Sequence, residues 1–201
     1  MIKIKTLTVS LFALSLAATP SLAGPDDDQL VINDELQMVT ETEAPAHLEG
    51  VRTIYSGWRF RADETQALQL DDFDNPAMLT VDAAAEAFAA VDGSEGESCA
   101  SCHDNVESFA GLTASMPKVD EETGKLVTME DQINECRTER MGAEKWKWSG
   151  QEMQGMVGLI GLQSRGMPVN VAVDGPAAPF WEQGKDIYYT RYGQLELSCA
   201  N

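Results

Sequence analysis

The pentapeptide Cys99-Ala100-Ser101-Cys102-His103 constrains this chain more than any other feature. Two thiols separated by two residues can add to the two vinyl groups of one porphyrin, and the next histidine can bind its iron. A zinc half-site would need two more cysteine or histidine ligands, but none lies within 30 residues on either side. A redox dithiol would need a βαβ surround, whereas helix and loop patterns flank the motif. We therefore predict covalent c-type haem on Cys99 and Cys102, with His103 as an axial ligand.

The first 23 residues have the pattern of a secretory signal peptide. Two lysines precede an apolar run from Leu7 to Ala18, and Ser21-Leu22-Ala23 provides a small-x-small cleavage site. The apolar run is too short for a membrane anchor, and no other stretch of the sequence could span a bilayer. We therefore expect export, which suits haem attachment because thiols are added to haem outside the cytoplasm.

The chain is strongly acidic. It has 14 Lys and Arg against 33 Asp and Glu, for a formal net charge of −19 at pH 7. Cleavage of the signal peptide would remove two lysines and no acids, and the mature charge would be −21. Because such a field repels nucleic acid and anionic lipid, we expect a basic or neutral partner instead.

Composition and turn residues divide the sequence into four segments. Residues 1–23 are the signal peptide, and residues 24–75 form an acidic, irregular extension whose aromatic second half packs on the domain that follows. Residues 76–168 form a first cytochrome c domain, and residues 169–201 hold a linker and the start of a truncated second one. The expected fold is all-α, with tandem cytochrome c-type domains.

Three helices are predicted in the first domain from their capping residues. Asp82 can cap the first helix, and Thr128 with Asp131 has the spacing of a capping box for the second. Ser149 with Glu152 has the same spacing and predicts the start of the third.

The third helix carries two glycines on a largely apolar segment. Gly155 and Gly158 lower helix propensity, which is understandable if another helix crosses closely at that point. We therefore expect this last helix of the domain to cross the first one.

A repeat with an offset of 100 residues relates two parts of the chain. Residues 88–100 can be laid without a gap on residues 188–200, so that Gly93 meets Gly193 and the Ser-Cys-Ala that opens the haem motif recurs around Cys199. The repeat predicts that Cys-His follows Asn201, and that Cys199 attaches a second haem. The alternative is a natural end with Cys199 free or in a disulfide.

Cys136 has no role in either motif. It could be a buried inert thiol, a disulfide partner of Cys199, or the sixth ligand of the first haem. Helical spacing turns it inward, while Arg137 and Arg140 are expected on a solvated face. Spacing alone favours a methionine as the sixth ligand, because four are available: Met141, Met153, Met156 and Met167.

Several stretches of the chain resemble the A subunit of the SoxAX cytochromes of bacterial sulfur oxidation. They are, in order, Tyr55-Ser56-Gly57-Trp58, Leu68-Gln69, Asp71-Asp72-Phe73-Asp74-Asn75-Pro76, Cys99 to His103, Cys136-Arg137-Thr138-Glu139, Gln163-Ser164-Arg165-Gly166-Met167-Pro168, and Gly184-Lys185-Asp186-Ile187-Tyr188-Tyr189 leading to Cys199. The resemblance implies two haem c groups and a heterodimer with SoxX, a small c-type cytochrome.

The resemblance also implies an activity. The complex would join thiosulfate oxidatively to a cysteine of the carrier SoxY, bound to SoxZ, in the periplasm. It makes Cys136 the axial ligand of the first haem, in place of the methionine that spacing favours. The catalytic cysteine of the family lies beyond the position of Asn201, so we assign no catalytic residue and expect these residues alone to be inactive. The alternative function is a dihaem electron carrier without transferase activity.

Overall fold

The computed structural model describes residues 29–44 and 50–201. The predicted signal peptide at residues 1–23 lies outside this part of the chain. The α-helices of the described residues are α1 Asp63–Ala67, α2 Met78–Ala89, α3 Cys99–His103, α4 Met129–Glu139, α5 Gln151–Leu162 and α6 Ala178–Tyr189. The strands are β1 Leu30–Ile32, β2 Leu36–Met38, β3 Glu41–Glu43, β4 Thr53–Tyr55, β5 Lys118–Val119 and β6 Leu126–Val127. None of the described helices has the length and apolar character that a membrane crossing requires.

The structure is mostly helical, but it is not all-α as predicted. Its strands pair into three antiparallel two-stranded sheets, β1 with β2, β3 with β4, and β5 with β6. The first two lie in the segment that was expected to be irregular. Asn33 and Asp34 both adopt positive φ, at 54° and 57°, which is the backbone of a tight hairpin turn. The acidic composition of this segment concealed that turn signal.

A polar network joins the first hairpin to the end of α5. The Asn33 amide N–H donates to the Leu70 carbonyl at 2.7 Å, and the Asn33 side chain bonds both the backbone and the carboxylate of Asp72. Arg165 donates to both carboxylate oxygens of Asp72, at 2.9 and 3.0 Å. The hydrogen bond from Arg165 holds the pKa of Asp72 below its ordinary value.

Helices α2 and α5 cross closely, as the glycines predicted. A Cβ on Gly155 would lie 2.7 Å from the Thr80 carbonyl oxygen, and one on Gly158 would lie 3.3 Å from a methyl of Val81. This crossing forms part of a core of buried residues from α2, α4 and α5: Ala84, Phe88, Met129, Met156, Leu159 and Ile160.

Helix α4 begins as the capping-box pattern predicted. The Thr128 side chain accepts a hydrogen bond from the Asp131 amide, and the Asp131 carboxylate accepts one from the Thr128 amide at 3.0 Å. These reciprocal bonds satisfy amide groups that the first helical turn leaves without partners.

The predicted starts of the other two helices are wrong. Helix α2 begins at Met78 rather than at Asp82, after Asn75 has accepted a hydrogen bond from the Ala77 amide at 3.1 Å. Helix α5 begins at Gln151 after Gly150, and no side chain caps it. The Gly150 amide instead donates to the Lys147 carbonyl at 2.8 Å, so a backbone turn takes the place of the predicted capping box.

The loop before the haem motif recurs 100 residues later in the fold. One isolated bridge pairs Asp92 with Glu97, and another pairs Tyr192 with Leu197. Gly93 and Gly193, which open the two turns, both have positive φ, at 81° and 72°. The local backbone thus follows the sequence repeat, while the second cytochrome domain remains a prediction.

Replacement of Gly155 by alanine tests the close crossing. We expect Gly155→Ala to lower the free energy of unfolding by about 1–3 kcal/mol, because its methyl must displace the Thr80 backbone. Gly161 lies in the same helix with open space around it, so Gly161→Ala should raise the free energy of unfolding by about 0.5–1 kcal/mol. Urea unfolding followed by circular dichroism measures both, and equal effects would contradict the crossing.

Candidate haem site

Helix α3 is one short turn that carries the whole haem motif. Ser98 caps it, because its hydroxyl accepts from the Ser101 amide at 3.1 Å and the Ser101 hydroxyl accepts from the Ser98 amide at 3.0 Å. This helical turn places Cys99 and Cys102 on the same side, since residues three apart are neighbours on a helix. The sequence analysis did not predict this cap, although the three-residue spacing of Ser98 and Ser101 was the available signal.

The backbone turns sharply directly after His103. Asp104 has φ 56° and ψ −68°, and the Asn105 amide donates to the His103 carbonyl at 2.6 Å. These values describe a γ-turn of the strained, positive-φ kind. The Ser108 hydroxyl donates to the same carbonyl at 3.2 Å, so the backbone of the histidine is held from two sides.

The His103 ring packs on an aromatic pair of the core. Its centroid lies 4.7 Å from that of Phe109, with the planes at 49°. Phe109 in turn meets Phe88 of α2 edge-on, with centroids 6.2 Å apart. The imidazole is therefore positioned by a ring that the hydrophobic core itself fixes.

The haem motif opens onto a cavity with about 780 Å³ of space, part of it open to solvent. Cys99, Cys102, His103 and Cys136 all line it, although they come from two helices. The remaining wall is mainly apolar and includes Phe88, Leu112, Met129, Met156 and Ile160. Cavities of this size and character hold cofactors. Two neighbouring thiols, an imidazole and a further sulfur make this donor set suitable for c-type haem.

The pKa shifts of the Cys99 and Cys136 thiols have the same direction and the same main cause. Burial raises the pKa of the Cys99 thiol, and the nearby charge of Arg137 acts against that rise. Cys136 is exposed overall, but partial burial of its thiol also raises the pKa, with Glu135 adding to the effect and Arg140 opposing it.

The structure narrows the methionine alternatives. Met141 and Met156 line the cavity together with Cys136, so both remain competing sulfur ligands. Met153 and Met167 are not among the residues that line it; Met153 is fully buried in the core. All four cysteines are free, so Cys136 and Cys199 form no disulfide.

Arg137 contradicts the expectation of a solvated helix face. Only 5% of the residue is exposed, and it lines the cavity. Its Nε donates to the Glu144 carbonyl at 3.0 Å, its Nη2 donates to Asp92 at 2.7 Å, and its guanidinium lies 3.9 Å from the centre of the Trp146 ring. Position 137 follows Ile133 by one helical turn, so the spacing already indicated that Arg137 lies on the same inward face of α4. The hydrogen bond from Arg137 lowers the pKa of Asp92.

Cys199 lies apart from this cavity. It is exposed and follows the second copy of the loop, where the Asn201 side chain accepts a hydrogen bond from the Ser198 amide at 3.0 Å. The structure therefore brings four of the five predicted haem residues together and leaves Cys199 at a separate position.

Known proteins resemble both the sequence and the fold. A family model described as "SoxA/TsdA, cytochrome c domain" matches residues 83–169. The chain is 56% identical over 200 residues to "L-cysteine S-thiosulfotransferase subunit SoxA" of Paracoccus pantotrophus, covering 98% of this chain and 69% of that protein. It is 49% identical over 204 residues to the protein of the same name in Rhodovulum sulfidophilum, covering 98% and 71%.

A solved structure is similar as well. A chain in the "Crystal structure of SoxXA from P. pantotrophus" superimposes with a TM-score of 0.81 at 60% sequence identity. The match covers 87% of this chain and 67% of that one. The shared fold therefore includes most of the described residues.

The strained turn after His103 can be tested by two substitutions at Asp104. An L-residue in the left-handed region costs about 1–2 kcal/mol that glycine avoids, although glycine loses more chain entropy on folding. We therefore expect Asp104→Gly to be more stable than Asp104→Ala by about 1 kcal/mol. Thermal unfolding of the two holoproteins measures the difference. An alanine variant at least as stable as the glycine variant would show that the turn is not strained.

Proposed function

The chain belongs to the SoxA family of L-cysteine S-thiosulfotransferase subunits, and from this premise we propose how its residues serve such an enzyme. The cytochrome c domain implies c-type haem. We assign Cys99 and Cys102 to its covalent attachment, and His103 and Cys136 to its iron. The observation that carries this assignment is the meeting of all four side chains in one largely apolar cavity.

Each element of the site has a task in this proposal. When bound, haem supplies a redox centre whose potential depends on its axial ligands and on burial. Helix α3 presents both thiols from one turn, and Phe109 orients the His103 ring. Phe88 and Met156 form part of its largely apolar wall. Cys136 on α4 offers a sulfur ligand from a second element.

The reaction that we propose for the complex is the oxidative joining of thiosulfate to a carrier cysteine. A sulfur–sulfur bond forms between the terminal sulfur of thiosulfate and the carrier thiolate, and two electrons are released. The carrier would be SoxY of SoxYZ. This need for an electron acceptor explains why a cytochrome belongs to a sulfurtransferase. We assign the catalytic sulfur itself to no residue of this chain.

We propose a heterodimer with a small c-type cytochrome of the SoxX kind. The similarity to a chain of the SoxXA crystal structure supports this partner. The signal-peptide pattern of residues 1–23 supports a periplasmic location. A net charge of −19 favours a basic or neutral partner surface and disfavours nucleic acid.

We also propose that Cys199 attaches a second haem. The bridge between Tyr192 and Leu197 reproduces the bridge between Asp92 and Glu97 at the offset of the sequence repeat. The same loop therefore leads into Cys199 as leads into Cys99, which supports a common role for the two cysteines.

The assignment of Cys136 to the haem iron leads to a prediction. Thiolate donates more charge to iron than a thioether does, so Cys136→Met should raise the potential of the first haem. It should also replace the low-spin thiolate spectrum with that of a histidine–methionine haem. Electron paramagnetic resonance and a redox titration of the holoprotein measure both effects.

Two of the three methionines that line the cavity provide the control for this prediction. Met156→Leu and Met141→Leu keep the side-chain volume, so each should cost less than about 1.5 kcal/mol of stability and leave the thiolate spectrum unchanged. A spectrum that does not change in Cys136→Ser but changes with one methionine would assign the ligand to that methionine.

Covalent attachment at Cys99 and Cys102 has its own test. Haem that acidified organic solvent removes completely from the denatured protein would refute it.

Another prediction distinguishes a thiosulfotransferase from a protein that only carries electrons. The natural holoprotein with its SoxX-like partner should reduce its haem with thiosulfate only when a carrier protein with its cysteine is present. The carrier should gain the mass of one thiosulfate-derived group. Fast, reversible reduction by generic donors, with no adduct on the carrier, would instead support a dihaem electron-transfer protein.

A further inference from the structure

Arg137 carries a positive charge into the wall of the haem cavity. Its side chain is 6% exposed, whereas the side chain of its partner Asp92 is 53% exposed. Water and salt therefore screen the carboxylate much more than the guanidinium. The pair has formal charges that cancel, but the unscreened part of its field inside the cavity is positive.

The guanidinium cannot move freely within this wall. Trp146 lies against its face at 3.9 Å, and the Glu144 carbonyl accepts its Nε hydrogen at 3.0 Å. Two hydrogen bonds with Asn134 of α4 then fix the backbone of Trp146, at 2.8 and 3.1 Å. The cation is thus held at one place relative to the helix that carries Cys136.

The ion pair also joins the two halves of the site. Asp92 lies 45 residues before Arg137, in the loop that leads into the haem motif. Arg137 follows Cys136 directly on α4. This contact of 2.7 Å therefore connects the loop that leads into α3, which carries His103, with α4, which carries Cys136.

We propose that Arg137 helps to set the reduction potential of the first haem through its fixed positive charge, with Asp92 as its counter-charge. This inference rests on the proposed function of Cys99, Cys102 and His103. A fixed positive charge favours the reduced iron, which carries one positive charge less than the oxidised iron. Arg137 therefore raises the potential, and Asp92 moderates that effect.

Opposite charge changes at the two ends of the pair test this proposal. Arg137→Gln removes the cation and should lower the potential of the first haem. Asp92→Asn keeps a hydrogen-bond acceptor and removes the anion, so it should raise the potential. The double variant should lie between the two single variants. Arg137→Lys keeps the charge and should recover most of the potential lost in Arg137→Gln.

Arg165→Gln is the matched control. Arg165 also forms an ion pair with a distant aspartate, at 2.9 Å from Asp72, but it is not among the residues that line the cavity. Its loss should lower the unfolding temperature and leave the potential unchanged. The potentials are measured by spectroelectrochemical titration of each holoprotein.

The outcomes separate this proposal from the one on which it rests. Shifts of the same sign in Arg137→Gln, Asp92→Asn and Arg165→Gln would show general loosening of the fold and would overturn the role of Arg137. Unchanged potentials in both Arg137→Gln and Asp92→Asn would overturn it too. Absence of covalent haem from the wild-type protein would instead refute the haem assignment itself.

Discussion

The crossing of α2 and α5 is the contact on which the rest of the structure depends. Glycine at position 155 lets the helices approach until a Cβ would lie 2.7 Å from the Thr80 carbonyl oxygen. That approach brings Phe88 of α2 and Met156 of α5 into one core. The same two side chains line the haem cavity. The site is therefore an extension of the core. A substitution that forces α2 and α5 apart should also displace the cavity wall that these helices form.

Two arginines join segments that are far apart in the sequence, and they do so in different surroundings. Arg165 reaches Asp72 across 93 residues and ties the N-terminal hairpin to the end of α5. Arg137 reaches Asp92 across 45 residues at the wall of the cavity. In a chain with a net charge of −19, carboxylates are plentiful as partners for arginines that are buried or partly buried. Only Arg137 lines the cavity, so we expect only the second pair to affect haem chemistry.

The repeated loops show that similar backbone can have different surroundings. A Cβ on Gly93 would clash with the Met141 carbonyl and would lie 2.7 Å from the Ala143 amide nitrogen, whereas the one on Gly193 meets nothing within 4 Å. Both glycines have positive φ, so the turn itself explains their shared identity. Tight packing constrains only the first. Local geometry thus accounts for the glycine that the two loops share, and the loop before Cys99 is additionally held against the chain that follows α4.

The sequence by itself determined the features that short patterns encode. The haem pentapeptide, the cap of α4 and the glycines of the crossing depend on residues within a few positions of one another, so they could be read directly. Spacing did not distinguish Cys136 from the methionines, and it placed Arg137 in solvent and α5 at Ser149. The tertiary structure narrowed the first point to Cys136, Met141 and Met156 among the named candidates, and it corrected the other two. The burial of Arg137 depends on a contact between distant segments, the Arg137–Asp92 pair. The start of α5 depends on a backbone turn, the hydrogen bond from the Gly150 amide to the Lys147 carbonyl, which replaces the side-chain cap. Burial and long-range pairing are properties of the folded chain, and local spacing carries little information about them.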